Sequence, residues 1–225
     1  MNQVLGRLYD NRRPDSWASQ LRKKRMQLFE SLISSVPAPL KILDIGGRQD
    51  FWENTDFLKQ DLKDVEITLL NLDLEEANVT SSKFKFVVGS ATNMEQFEDN
   101  SFDVVFSNSV LEHVGDYHAQ RQMANEAMRV GKRYFIQTPN FFFPIEPHFV
   151  FPLFQFLPIE MRVWLQSHFD LGLRKKLPNK EEARASVTSI KLLTKKELTK
   201  LFPQGKLHEE KLLYMTKCFI VYGGW

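Results

Sequence analysis

Residues 41–52 read KILDIGGRQDFW. Ile42, Leu43 and Ile45 form a short apolar run of β type, with Asp44 near its end. Gly46 and Gly47 break the run, and Phe51-Trp52-Glu53 open a helix. Glycine lacks the Cβ that keeps a ligand away from backbone, and it tolerates positive φ. A helix N-terminus directly beyond exposes unpaired N–H groups. Strand, glycine turn and helix therefore predict a nucleotide-type pocket at the carboxyl end of a first parallel strand, with Asp44 placed to hold a ligand amine. An ordinary strand-to-helix turn produces the same short pattern, so the flanking elements decide.

Upstream, Asp15 or Ser16 caps a helix expected to run to about Val36, with Leu21, Leu28, Phe29, Leu32, Ile33 and Val36 at helical spacing. Arg22 to Arg25 form a basic patch, read first as a solvated face and second as a contact for an acidic headgroup or phosphate. Pro37 and Pro39 end the helix. Downstream, Glu66–Leu72 is a β-type run with Asp73 at its end, where a carboxylate can accept from both hydroxyls of a ribose or simply open a turn over residues 73–76. Phe84–Val88 is a third strand, Val104–Ser107 a fourth and Tyr134–Gln137 a fifth. A helix over Tyr117–Val130, stopped by Gly131, separates the last two. Strands alternating with helices mean a parallel α/β sheet.

In that order and spacing, ILDIGG, LLNLD, VVGSATNM and DNSFDVVFSNSVLEHV resemble class I S-adenosylmethionine-dependent methyltransferases. The last of these is close to the group that includes the ubiquinone and menaquinone biosynthesis enzymes, and the likeness covers roughly residues 40–139. The resemblance implies an α/β, Rossmann-like, seven-stranded, mostly parallel sheet with an antiparallel last strand and helices on both faces. It implies S-adenosyl-L-methionine as cofactor. Asp44, Gly46 and Gly47 would hold its methionine end, Asp73 its ribose, Ser90 and Ala91 its adenine, and Ser107 and Asn108 the surroundings of the sulfonium. The family usually has glycines where this chain has Arg48 and Asp50, and commonly an acid where it has Ser90. One methyltransferase domain is expected over 1–225: an N-terminal helical lid at 1–39, a cofactor-binding core at 40–139, an insertion at 140–193 and a closing helix and hairpin at 194–225. That last segment reads as a helix over Thr194–Phe202, with a Thr194/Glu197 capping box, then strands over Lys206–Tyr214 and Lys217–Tyr222.

The insertion after strand five is the irregular part. It holds eight of the 19 phenylalanines, and its centre is FFFPIEPHFVFPLFQFLP, residues 141–158. The interleaved prolines disfavour a long helix or a central strand there, so the segment is expected to fold as an apolar cap over the acceptor. Glu146 and His148 are the ionisable residues in its most apolar stretch. His148 is expected to line the acceptor site as general base, with Glu146 and His113 next. The plainer reading has Glu146 and His148 pinning the loop. Glu112-His113 lacks the two-histidine spacing of a zinc protease, because Gly115, Asp116 and Tyr117 intervene before His118. His118 and His208 read as surface residues, and Arg174-Lys175-Lys176 as a charged loop or a phosphate contact.

Composition narrows the classes. A net charge of +2 over 225 residues gives no electrostatic case for nucleic acid. The single cysteine, Cys218, allows no internal disulfide and no multi-cysteine zinc site, and no metal is expected. No apolar run is long enough to span a bilayer, and residues 1–10 have no signal-peptide core, so a soluble cytoplasmic protein with at most peripheral membrane contact is expected. The leading functional reading is methyl transfer, chiefly O-methylation, to a small-molecule, glycan or lipid-linked acceptor with an apolar part. The alternatives are a non-catalytic module that keeps the fold, which Arg48 and Ser90 favour, and an RNA or protein methyltransferase. The glycine turn lacks the G-x-G-x-x-G spacing of a dinucleotide enzyme.

Overall fold

The computed structural model describes residues 16–58, 64–73, 83–172 and 174–225. Residues 1–15 of the expected lid, Asp15 included, and most of the turn read after Asp73 lie outside them.

The strands are β1 (Leu40–Ile45), β2 (Val65–Asn71), β3 (Phe84–Val88), β4 (Val104–Asn108), β5 (Tyr134–Pro139), β6 (Lys206–Leu212) and β7 (Met215–Gly223). They form one sheet in the order β3-β2-β1-β4-β5-β7-β6. β1 to β5 pair in parallel. β7 runs antiparallel to both β5 and β6. The strand order reverses between β1 and β4, and in open α/β sheets the ligand crevice lies outside the carboxyl strand ends at such a point.

Burial explains the apolar runs. Ile42, Ile67, Val104 and Phe106 pack on one face, and Leu43, Leu70, Val105 and Ile136 on the other. Strands covered on both faces read as continuous apolar stretches, and β1 and β4 do. Helix α1 (Trp17–Ile33), capped by the Ser16 side chain on the Ser19 N–H, packs Met26, Phe29 and Ile33 into the first face. There the Phe29 ring meets the edges of Phe106 and Phe135 at 5.1 and 5.2 Å, and those two rings stack at 5.6 Å. The short helix α2 (Gln49–Glu53) adds Trp52. On the other face, α3 (Tyr117–Val130) contributes Met123, Ala124, Ala127 and Val130, and α6 (Lys195–Leu201) contributes Leu198 and Leu201. The Thr194/Glu197 capping box is present.

The insertion closes on itself at its base, where the Phe141 N–H donates to Leu193 O (3.0 Å) beside an Asn140–Leu193 bridge. It has its own small core of Phe149, Phe154, Val163, Leu171, Ala183 and Val187. Its elements are a two-residue ribbon (Ile145–Glu146 with Phe151–Pro152), a 3-10 turn (Phe154–Phe156), α4 (Ile159–His168) and α5 (Lys180–Thr188). The two helices were not expected from the proline-rich stretch. α4 begins after Pro158, the last of the interleaved prolines, so the ring sits at the cap and breaks no helical hydrogen bond. Among the described residues, no helix is long and apolar enough to cross a membrane.

Candidate functional site

The residues expected to hold a cofactor gather along the carboxyl edge of the sheet. Parallel register puts the ends of the strands side by side: Ile45 opposite Leu70 and Ser107, and Asn71 opposite Val88. Gly46 leaves β1 with φ +67°, the left-handed region that glycine enters without strain. Gly47 has no room for a side chain, because a Cβ there would lie 2.1 Å from Asp44 Oδ2. The Asn71 side chain donates to Gly47 O (2.9 Å), tying the turn to β2. Asp44 itself is buried, and its Oδ2 accepts from the Trp52 indole N–H at 2.7 Å. Burial pushes its carboxyl up to about 8 against that hydrogen bond.

Asp73 stands exposed just past β2. Ser90 and Ala91 follow β3, and the Ser90 hydroxyl is shared between the Thr92 side chain (2.8 Å) and the Thr92 N–H (3.2 Å). Ser107 is buried beside Ile45 O. The two departures from the glycine pattern meet each other: Arg48 Nε donates to Asp50 Oδ1 at 3.0 Å, with both side chains largely exposed.

Asn108, at the end of β4, is engaged from an unexpected side. Arg25 of α1 donates through Nη1 to Asn108 Oδ1 and to Gln137 Oε1. Its Nε and Nη2 fork onto Glu210 Oε1 and Oε2 of β6 at 2.8 and 2.6 Å. The side chains of Arg25 and Glu210 are only 10% and 4% exposed. This corrects the reading of Arg22–Arg25 as a solvated face for its last member. Position 25 lies on the same side of α1 as Phe29, and the partner is 185 residues away, so the sequence carried no local sign of it. Burial lowers the guanidinium pKa, but the Glu210 charge and hydrogen bonds outweigh it and the net direction is upward.

A second cluster lies where the insertion meets the core. The chain leaves β4 through a 3-10 turn, Leu111–His113, and the ribbon of the insertion folds back over it. Glu146 is buried. Its Oε2 accepts the N–H groups of His148 (2.8 Å) and Phe149 (2.7 Å), and its Oε1 lies 2.6 Å from His148 Nδ1. His148 Nε2 lies 3.0 Å from His113 Nε2 and 3.9 Å from Glu112 Oε1. Glu112 is fully buried, and its Oε2 accepts from the Thr138 hydroxyl (3.0 Å). Burial, ahead of the relief from His148, pushes the Glu112 carboxyl up to about 7. As a residue His113 is exposed, but its ring abuts His148; desolvation, then the His148 charge, push it down to about 4.

The structure therefore brings together His113, Glu146 and His148, the three candidate catalytic residues, with Glu112, which the sequence also marked beside His113. The Glu112-His113 adjacency was visible, but its meeting with a ribbon 35 residues on was not. Thr138, at the end of β5, completes the group. His118 and His208 are exposed. In the basic run, Arg174 is held against the insertion, donating to the Ser186 hydroxyl (2.8 Å) and covering the Phe149 ring at 5.2 Å, while Lys175 and Lys176 are exposed.

A cavity of about 400 Å³ lies between the insertion and the start of α3. Phe141, Phe149 and Phe154 line it, with Gln155, Arg162 and Glu146. Gln155 Oε1 and Arg162 Nε are buried and have no hydrogen-bond partner among the described residues.

Residues 52–134 match a family model described as a methyltransferase domain. No curated protein matches the sequence. Among solved structures, the chain is similar to a candidate O-methyltransferase from Nostoc punctiforme, at 16% identity and TM-score 0.52, over 92% of this chain and 58% of that one. It is similar to a SAM-dependent methyltransferase from Methanosarcina mazei, at 17% identity and TM-score 0.50, over 85% and 95%. It is also similar to phosphoethanolamine N-methyltransferase 2 of Haemonchus contortus, solved with S-adenosylhomocysteine, at 14% identity and TM-score 0.53, over 87% and 39%. The chain thus spans little more than half of the first of these proteins and under half of the third. At these identities the likeness is one of fold.

Proposed function

We propose that this chain, a class I S-adenosylmethionine-dependent methyltransferase by domain and fold, methylates a hydroxyl on a small-molecule, glycan or lipid-linked acceptor that has an apolar part. When bound, S-adenosylmethionine supplies an electrophilic methyl group. The work left to the chain is to hold the acceptor oxygen in line and to take its proton.

The donor set along the sheet edge suits the cofactor. The Gly46-Gly47 turn offers open backbone for its methionine end, with Asp44 behind it. Asp73 is exposed past β2 for the ribose hydroxyls, and Ser90 with Ala91 borders the adenine position. Ser107 and Asn108 lie at the switch point, beside the reacting centre. The cavity under the insertion suits the apolar part of the acceptor: its phenylalanines offer an apolar wall, Glu146 borders it next to His148, and Arg162 and Gln155 bring polar atoms that have no partner among the described residues. The arginine favours an acceptor that carries a negative group.

The observation that carries the reading is the Glu146–His148 pair. A carboxylate 2.6 Å from Nδ1 keeps the ring proton there and leaves a lone pair on Nε2. Glu146 is itself fixed by two backbone N–H groups, so the ring is held before any acceptor arrives. His148 Nε2 would take the proton of the acceptor hydroxyl. His113, exposed and 3.0 Å away, is the relay from Nε2 to solvent.

The test has two stages. S-adenosylhomocysteine at 100 times its Kd should stabilise the chain by about 2.7 kcal/mol, which at this size raises Tm by about 5–11 °C. Absence of that shift would leave a non-catalytic module. His148→Ala should keep the shift and lose about 100- to 10,000-fold in turnover, the usual contribution of a general base. Unchanged turnover would remove His148 from that role.

A further inference from the structure

We propose that Glu112, His113 and His148 bind one divalent first-row transition-metal ion of the zinc class, through Glu112 Oε1, His113 Nε2 and His148 Nε2. One ligand atom from each of the three residues lies within 4.8 Å of the other two. Zinc bonds of about 2.0–2.2 Å to nitrogen and oxygen place tetrahedral ligand atoms about 3.4 Å apart. The observed 3.0 Å between the two ring nitrogens and 3.9 Å from His148 Nε2 to Glu112 Oε1 lie on either side of that spacing.

Three local features point to a cation. Glu146 on Nδ1 turns the His148 lone pair inward, the carboxylate–histidine arrangement that commonly orients a metal-binding imidazole. His113 Nε2 lies 3.0 Å from His148 Nε2, with its ring perpendicular to that of His148. Glu112 Oε1 is completely buried, aimed at the pair, and has no hydrogen-bond partner among the described residues. A buried carboxylate oxygen without a donor is costly, and a metal ion supplies what it lacks. Two imidazoles and one carboxylate suit zinc, iron or cobalt better than calcium or magnesium. Three protein ligands leave one position open. The ligands come from the turn after β4 and from the insertion, so the ion also clamps one to the other.

The inference shares its place with the transfer reading but does not require methyl transfer to occur. An ion and a proton compete for the same Nε2 lone pair, so the metal-loaded chain would not use His148 as a base. The test is Co2+ titration of the chelator-stripped full-length chain, followed by its d–d absorption and by calorimetry. One Co2+ per chain is expected, with four-coordinate bands. His148→Ala and Glu112→Gln should abolish the bands. Glu146→Gln, which keeps the shape and all three ligands, should weaken binding 10- to 100-fold. His208→Ala, at an exposed histidine, should change nothing. If the first two variants fail to fold by circular dichroism, Glu146→Gln and the wild-type stoichiometry still decide. No stoichiometric band in the wild type, or a Kd untouched by Glu146→Gln, overturns the proposal. The readout needs neither cofactor nor acceptor. An inactive chain that binds cobalt overturns only the transfer reading, and an active chain silent to cobalt overturns only the metal site.

Discussion

Replacing Arg25 by alanine should be among the most destabilising single changes in this chain. The guanidinium forks onto Glu210 through two hydrogen bonds of 2.8 and 2.6 Å, and it also donates to Asn108 and Gln137. The Glu210 side chain is 4% exposed, so removing the cation leaves a carboxylate that water cannot reach. Breaking a buried pair from one side costs about 3–5 kcal/mol, much of it the penalty on the stranded partner. An exposed pair would cost about 0–1 kcal/mol. For a chain of this length, 3–5 kcal/mol corresponds to a fall in Tm of roughly 6–20 °C. Equilibrium urea unfolding followed by circular dichroism should show a lower midpoint at unchanged m-value. The double variant Arg25→Met/Glu210→Leu should recover most of the loss, because it removes both charges and keeps apolar volume. Arg25→Ala should also weaken S-adenosylhomocysteine, since Asn108 then loses the donor that orients it at the end of β4. A loss below about 1 kcal/mol would refute the buried fork and restore the reading of Arg25 as a solvated residue.

The glycine turn offers two more tests. In Gly47→Ala the new Cβ would sit 2.1 Å from an Asp44 carboxylate that Trp52 holds in place, so the turn or the indole must move. A loss of about 1–3 kcal/mol in denaturant titration is expected, with weaker S-adenosylhomocysteine binding by calorimetry. Wild-type values for both would mean that the turn has room for a side chain. Asp44 carries a pH signature, because burial raises its carboxyl from 3.8 to about 8. A raised acid contributes stability that is fully present below pH 4 and is lost as pH rises through about 8. Asp44→Asn should therefore flatten the fall in stability across pH 4–8 relative to the wild type, and two parallel curves would refute the shifted carboxyl.

Much of this protein follows from its sequence alone. Five parallel strands, α3, the capped α6 and the closing hairpin are local patterns, because a strand covered on both faces must be apolar throughout and a cap must carry its own oxygen. Parallel pairing then brings Gly46, Gly47, Asp73, Ser90 and Ser107 to one edge with no further information. The interior of the insertion was less legible: its aromatic run marked an apolar cap, but α4 and α5 lie beyond the prolines and pack chiefly against each other and their own small core.

Tertiary structure alone decided which charges are buried and what they meet. Arg25 lies in a run of four basic residues that reads as surface; only the hairpin carrying Glu210, folded beside β5, encloses it. In the sequence Glu112 stands out only as the neighbour of His113, until the ribbon brings His148 to within 3.9 Å and Thr138 donates from β5. Hydrophobic patterning has a period that a sequence displays. The pairing of two buried charges has none, because it depends on where two distant segments come to rest.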